Sequence, residues 1–272
     1  MPPTSTKKYV HGYRPQENQR LQDQASTLAE LLHNDTLYPA GSRVLEAGCG
    51  VGSQTIRLVQ NSPLASITAI DISESSLIEA QRRVEQAGYQ NVSFQQGDIF
   101  CLPFKPASFD HIFVCFVLEH LERPAQALQS LKGLLKSGGT LTVIEGDHGS
   151  AYFYPDNAAS RQAIECQVTL QKRAGGNANI GRELSPLLAA CEFTSVQVSP
   201  RMVYVDASRP NLVDGFTRNT FTAMIEGIRK DAVEAGLISV EVFDVGIQGL
   251  RRTTEADGVF CYTFFKAIAV NP

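Results

Sequence analysis

Residues 44–55 read V-L-E-A-G-C-G-V-G-S-Q-T, and this stretch limits the possible folds of the chain more than any other. Val44 and Leu45 end a short apolar strand, Glu46 follows, glycines stand at 48, 50 and 52, and a helix-forming run begins at Gln54. Alternating glycines let a backbone turn sharply and come close to a ligand, because no Cβ blocks the approach. Strand, tight loop and helix in this order form a nucleotide-binding unit. The spacing is G-x-G-x-G and not the G-x-G-x-x-G of a dinucleotide fingerprint, and a carboxylate stands two residues before the first glycine. That charge repels a pyrophosphate and favours a cationic ligand.

The next acid keeps the register. Residues 66–72 (S-I-T-A-I-D-I) alternate as a strand and bring Asp71 to its end, 25 positions after Glu46. An acid at the end of the second strand of such a sheet accepts hydrogen bonds from ribose hydroxyls. A helix over 74–87 and a strand over 91–96 lead to Gly97-Asp98-Ile99. A fourth strand over 109–116 runs into V-L-E-H-L, and after a helix over 124–136 the run S-G-G-T-L-T-V-I-E-G makes a turn and a fifth strand.

From Gly41 to about Gly146 the chain resembles the class I S-adenosylmethionine-dependent methyltransferases, and V-L-E-H-L is shared with their ubiquinone/menaquinone branch. The resemblance implies an α/β fold: a Rossmann-like, doubly wound, seven-stranded mixed sheet. It also implies a cofactor, S-adenosyl-L-methionine, leaving as S-adenosyl-L-homocysteine. Glu46 would face its cationic end, Gly48, Cys49, Gly50 and Gly52 would cradle it, and Gln54 or Thr55 would reach its carboxylate. Asp71 and Ile72 would hold the ribose, and Gly97, Asp98 and Ile99 the adenine. The backbone at Phe116 and Val117 would meet the methionine amine. Glu119 and His120 of V-L-E-H-L are read as an architectural helix start. The (N/D)-P-P-(Y/F) motif of adenine-N6 and glutamine methyltransferases does not occur at this point, where the chain reads C-F-V-L.

Composition narrows the partners. With 24 basic and 28 acidic residues the net charge is −4, which argues against a nucleic-acid footprint. No apolar run reaches the ~18 residues of a membrane span, and the N-terminus carries no apolar signal segment. Six cysteines without paired spacing suit a reducing compartment, and no metal site is expected. A cytoplasmic protein acting on a small-molecule acceptor is the expectation; homodimerisation is left open.

The domain plan has four parts: an N-terminal helical segment (1–40, with a helix over 16–33), the cofactor-binding core (41–146), two helical cap insertions (147–181 and 206–254), and the closing strands (182–205 and 255–272). Ligands bind at the carboxyl ends of strands in such sheets, so insertions there should choose the acceptor. His148, with Asp147 beside it, is the first candidate base, because an imidazole near its ordinary pKa can take a proton from a nucleophile. His11 and Tyr13 are the second. Tyr152, Tyr154 and Phe216 are the expected acceptor-binding residues. A non-catalytic protein that only binds S-adenosylmethionine is the alternative, because binding motifs establish binding and not turnover.

Overall fold

The computed structural model describes Arg20 and residues 24–272. His11 and Tyr13 lie outside the described residues, as does most of the first half of the helix expected over 16–33. Its second half is present as a helical turn over 24–27 and α1 (Ala29–His33).

Five parallel strands build the core: β1 (Arg43–Ala47), β2 (Ser66–Asp71), β3 (Val92–Gln96), β4 (Phe109–Cys115) and β5 (Leu135–Tyr154). The chain closes with β6 (Thr194–Val205) and β7 (Val259–Val270), and β7 runs antiparallel between β5 and β6. The sheet order is β3-β2-β1-β4-β5-β7-β6. Strand order therefore reverses between β1 and β4, and the crevice beyond their carboxyl ends is where such sheets bind ligands.

Neighbouring residues on the central strands pack into opposite cores, as a period of two requires. Val44, Phe113 and Ile144 join Leu28, Leu32, Leu58 and Val59 on one face. Leu45, Ile112 and Val143 join Leu128, Leu131, Leu184 and Leu188 on the other. Burial on both faces explains why these strands read as nearly continuous apolar runs. The connecting helices are α2 (Ser53–Asn61), α3 (Glu74–Gln86), α4 (Pro124–Lys132) and α6 (Leu184–Ala190). A buried lysine fastens the N-terminal segment: Lys266 Nζ on β7 donates to Asp35 Oδ1 at 2.5 Å and Thr36 Oγ1 at 2.6 Å, just past α1.

The strand expected to stop near Gly146 continues to Tyr154, so residues 147–154 belong to the sheet and not to a cap. The G-D-H-G-S turn is a bulge inside β5. Asp147 pairs with Thr263 and Tyr152 with Cys261, so residues 148–151 lie opposite Tyr262 alone. Side chains close the gap in the ladder. Gly149 N donates to Asn179 Oδ1 (2.8 Å), Ser150 Oγ to the Asp147 carbonyl (2.6 Å), and Thr263 N to Ser150 Oγ (2.9 Å).

Beyond β5, α5 (Ala158–Arg173) packs on α7 (Val240–Arg252). Ser160 Oγ donates to the Gly246 carbonyl at 2.7 Å, and a Cβ at Gly249 would lie 2.3 Å from Ser160 Oγ. The two late segments thus meet. The first part of the insertion expected over 206–254 is a broken succession of helices, Pro210–Leu212, a π-helix Val213–Thr222, Ala223–Gly227 and Arg229–Glu234.

Candidate active site

One cavity of about 550 Å³ opens where the strand order reverses, between the loop after β1, the ends of β2, β4 and β5, and the cap. Gly48, Cys49 and Gly50 line it from the loop and Gln54 from the start of α2, Asp71 and Ile72 from the end of β2 and just beyond, Gly97, Asp98 and Ile99 from the turn after β3, and Phe116 and Val117 from the turn after β4. Residues expected from separate parts of the sequence therefore share one surface.

Backbone donors organise the acids. Asp71 Oδ2 accepts from Gly50 N and Oδ1 from Ser73 N, both at 2.8 Å. A carboxylate offers about four lone-pair sites, so acceptor capacity is left for a diol. Burial raises the Asp71 pKa, and these N–H donors oppose the rise. Asp98 Oδ1 accepts from Phe100 N at 2.9 Å, which shapes a turn with Ile99 and Phe100 on the cavity wall.

Three expected cofactor contacts stand behind the loop. Glu46 is buried and its Oε2 accepts from Thr55 Oγ1 at 2.6 Å; neither residue lines the cavity. The carboxylate is turned under the first turn of α2, where burial pushes its pKa up to about 7, so it supports the loop from outside the cavity wall. Gly52, the left-handed cap of α2, is likewise set against α3, where a Cβ would meet Ala80.

Phe116 has φ +56°, a strained value for an aromatic residue, of the kind that gathers at functional sites. Glu145, an acid inside the apolar end of β5, holds the turn that follows. Its Oε1 accepts from Val117 N (3.0 Å) and Leu118 N (2.7 Å). Burial, reinforced by the Glu119 charge, raises the Glu145 pKa well above the usual carboxylate range. Glu119 and His120 also line the cavity, and Glu119 is tied to the cap by Gln171 Nε2, which donates to its carbonyl (2.9 Å) and its carboxylate (3.2 Å).

The bulge in β5 aims His148 into the cavity. Its Nδ1 lies 3.1 Å from Tyr262 Oη, and its buried Nε2 has no hydrogen-bond partner. Burial lowers the imidazole pKa, partly offset by the charge of Glu119, so the ring is neutral at neutral pH. Asp147 points away. Arg182 Nε donates to its Oδ2 at 2.7 Å and Arg182 Nη2 to its Oδ1 at 2.6 Å, so this acid anchors the turn Ile180–Glu183 and is no member of the site.

Of the three expected acceptor residues, only Phe216 is in the cavity wall. Tyr152 and Tyr154 are 65% and 59% exposed and outside it. They alternate with the buried Phe153, and strand periodicity sends them to the other face. The aromatic wall is instead built by Phe216 and Phe221 from the π-helix, and Tyr262 and Phe264 from β7. Gln24 and Arg20 complete it from the N-terminal helix. Phe260, Tyr262 and Phe264 alternate along a strand legible in the sequence, which is the signal that marks this wall.

Residues 39–201 match the model of a methyltransferase domain. The chain belongs to that family. It is 32% identical over 113 residues to a ubiquinone/menaquinone biosynthesis C-methyltransferase of Roseobacter denitrificans, covering 41% of this chain and 45% of the other. It is 25% identical over 249 residues to the 27-O-demethylrifamycin SV methyltransferase of Amycolatopsis mediterranei, covering 90% and 84%. The structure of Haemonchus contortus phosphoethanolamine N-methyltransferase 2, bound to phosphomonomethylethanolamine and S-adenosylhomocysteine, superposes with a TM-score of 0.57 at 16% identity, covering 92% of this chain and 53% of that one; this likeness speaks for the fold. The chain spans 35% to 63% of the length of several other curated relatives that it matches. Among the described residues no helix is long and apolar enough to cross a membrane.

Proposed function

We propose that this methyltransferase-family chain transfers a methyl group from S-adenosylmethionine to a hydroxyl of a small, largely apolar acceptor, with His148 as the base. The observation that carries the reading is the unpartnered, buried Nε2 of a neutral imidazole in the wall of the cavity that also holds the glycine loop, Asp71 and Asp98. The residues present fit the cofactor. Gly50 leaves open space where a side chain would stand, Asp71 keeps lone pairs for a ribose, and Ile72, Ile99 and Phe100 offer apolar surface to a purine. When bound, S-adenosylmethionine supplies a methyl carbon on a sulfonium, ready for in-line displacement that leaves a neutral thioether.

The chain's own task is alignment, exclusion of water and removal of one proton. His148 Nε2 takes the hydroxyl proton as the acceptor oxygen attacks. Phe216, Phe221, Phe264 and Met224 exclude water and bind a carbon skeleton. One relative supports an oxygen acceptor. The alignment with the ubiquinone/menaquinone C-methyltransferase covers less than half of this chain, whereas that with the 27-O-demethylrifamycin SV enzyme extends over 90% of it. Incubating the protein with radiolabelled S-adenosylmethionine and panels of phenols, quinols, aliphatic alcohols, amines and carboxylates tests the proposal. Label should enter hydroxyl compounds with apolar skeletons. Label entering only amines or carboxylates, or no compound at all, would overturn it, the last result favouring a binding protein.

Two further outcomes are expected. Asp71→Ala should weaken S-adenosylhomocysteine binding by about 1.5–3 kcal/mol, the scale of hydrogen bonds to a charged group. Equal affinity of variant and wild type by calorimetry would remove the ribose assignment. Phe216→Leu should change acceptor KM by roughly tenfold, the scale of small changes in an apolar pocket, while binding of S-adenosylhomocysteine holds. Tyr152→Ala should change neither. An acceptor KM that responds to Tyr152 and not to Phe216 would place acceptor binding outside this cavity.

A further inference from the structure

We infer that Tyr262 is the positioning residue for His148, holding the ring as the tautomer with hydrogen on Nδ1 and the lone pair of Nε2 toward the cavity. The inference rests on the reading of His148 as the base. Tyr262 belongs to an aromatic cluster with Phe216, Phe221 and Phe264, where a phenylalanine would satisfy packing alone. A hydroxyl buried in such surroundings is costly unless it is bonded, and this one lies 3.1 Å from His148 Nδ1. The rings meet edge to face, with centroids 5.8 Å apart.

The backbone around the pair is fitted to the phenol. An ideal Cβ on Gly146 would lie 2.4 Å from Tyr262 Oη, closer than real Cβ contacts come, so only glycine leaves the hydroxyl its place. The bulge opposite Tyr262 brings His148 to the same spot. Burial, with the charge of Glu119, keeps the phenol protonated far above neutral pH, so Tyr262 remains a neutral partner. The Ala178 carbonyl accepts from the His148 backbone N–H at 3.0 Å, which holds the backbone that carries the ring. Nε2 has no partner, and a buried N–H left without an acceptor is rarer than an unfilled lone pair, so the hydrogen is assigned to Nδ1, where Tyr262 Oη can accept it. When Nε2 takes a proton, the Nδ1–H bond to Tyr262 Oη strengthens and stabilises the imidazolium. The other charged or titratable groups bearing on the ring are Glu119, which favours the cation, and His120 and Arg20, which oppose it.

Nitrogen-15 spectra of histidine-labelled protein saturated with S-adenosylhomocysteine test this without any acceptor. The chain has five histidines, and His148→Gln identifies the resonance. The wild type should show a protonated Nδ1 and a pyridine-like Nε2. Tyr262→Phe should shift population to the other tautomer and move the titration midpoint of His148 to lower pH, because the cation loses a partner. Gly146→Ala, which displaces the hydroxyl while keeping the tyrosine, should do the same. A wild-type ring protonated on Nε2, or spectra unchanged in both variants, would overturn the inference. Because tautomer and acceptor chemistry are read separately, the expected tautomer with no hydroxyl methylated would count against the proposed function alone.

Discussion

Replacing His148 by alanine should lower turnover by roughly 10²–10⁴-fold and leave S-adenosylhomocysteine affinity nearly unchanged. The size follows from the role. A hydroxyl is a poor nucleophile until its proton leaves, and among the described cavity residues His148 alone combines a neutral titratable ring with a buried, unpartnered nitrogen. The pH profile carries the same information. Burial sets the imidazole pKa below its ordinary 6.5, so the basic form is complete at neutral pH. Activity of the wild type should fall only as pH drops through that lowered value, and the alanine variant should lack this acidic limb. A variant with wild-type turnover and an intact limb would mean that His148 only fills the wall.

The parts of this site that were legible in the sequence are local. The glycine loop, Asp71 and Asp98 each sit at the end of a strand whose apolar pattern announces it, and backbone connectivity alone carries them to one edge of the sheet. What fails is the inference of side-chain direction. Glu46 has the right place in the chain, yet its carboxylate turns to Thr55 under α2, a choice made by packing and not by position. Asp147 and His148 are adjacent but face opposite ways, and what separates them is a bulge held by Asn179 and Ser150. Tyr152 and Tyr154 are misassigned once β5 is taken to end at Gly146. With the strand continued, burial of Phe153 puts both neighbours outside. The aromatic wall needs β7, and the His148–Tyr262 contact spans 114 residues, a distance over which local pattern carries no signal.

Gly52→Ala should lower stability by about 2–5 kcal/mol. Two costs add. Gly52 caps α2 with φ +79°, and the left-handed region costs a residue with a Cβ roughly 1–2 kcal/mol. The new methyl would also stand 2.9 Å from both Cα and Cβ of Ala80 on α3. Overpacking of that kind costs typically about 1–3 kcal/mol, and here the atoms in the way include helix backbone, which no rotamer change removes. The contact fixes the angle between α2 and α3, and with it the loop that carries Gly48, Cys49 and Gly50 along the cavity. A Tm lower by roughly 5–15 °C is therefore expected, at a few degrees per kcal/mol for a chain of this size, together with weaker S-adenosylhomocysteine binding. Gly227→Ala is the control, because a Cβ there meets nothing within 4 Å. Differential scanning calorimetry of both variants, with and without S-adenosylhomocysteine, decides the matter. If Gly52→Ala melted with the wild type and bound as tightly, α3 would have to move freely against the loop, and the glycine at 52 would not be holding the cofactor site in shape.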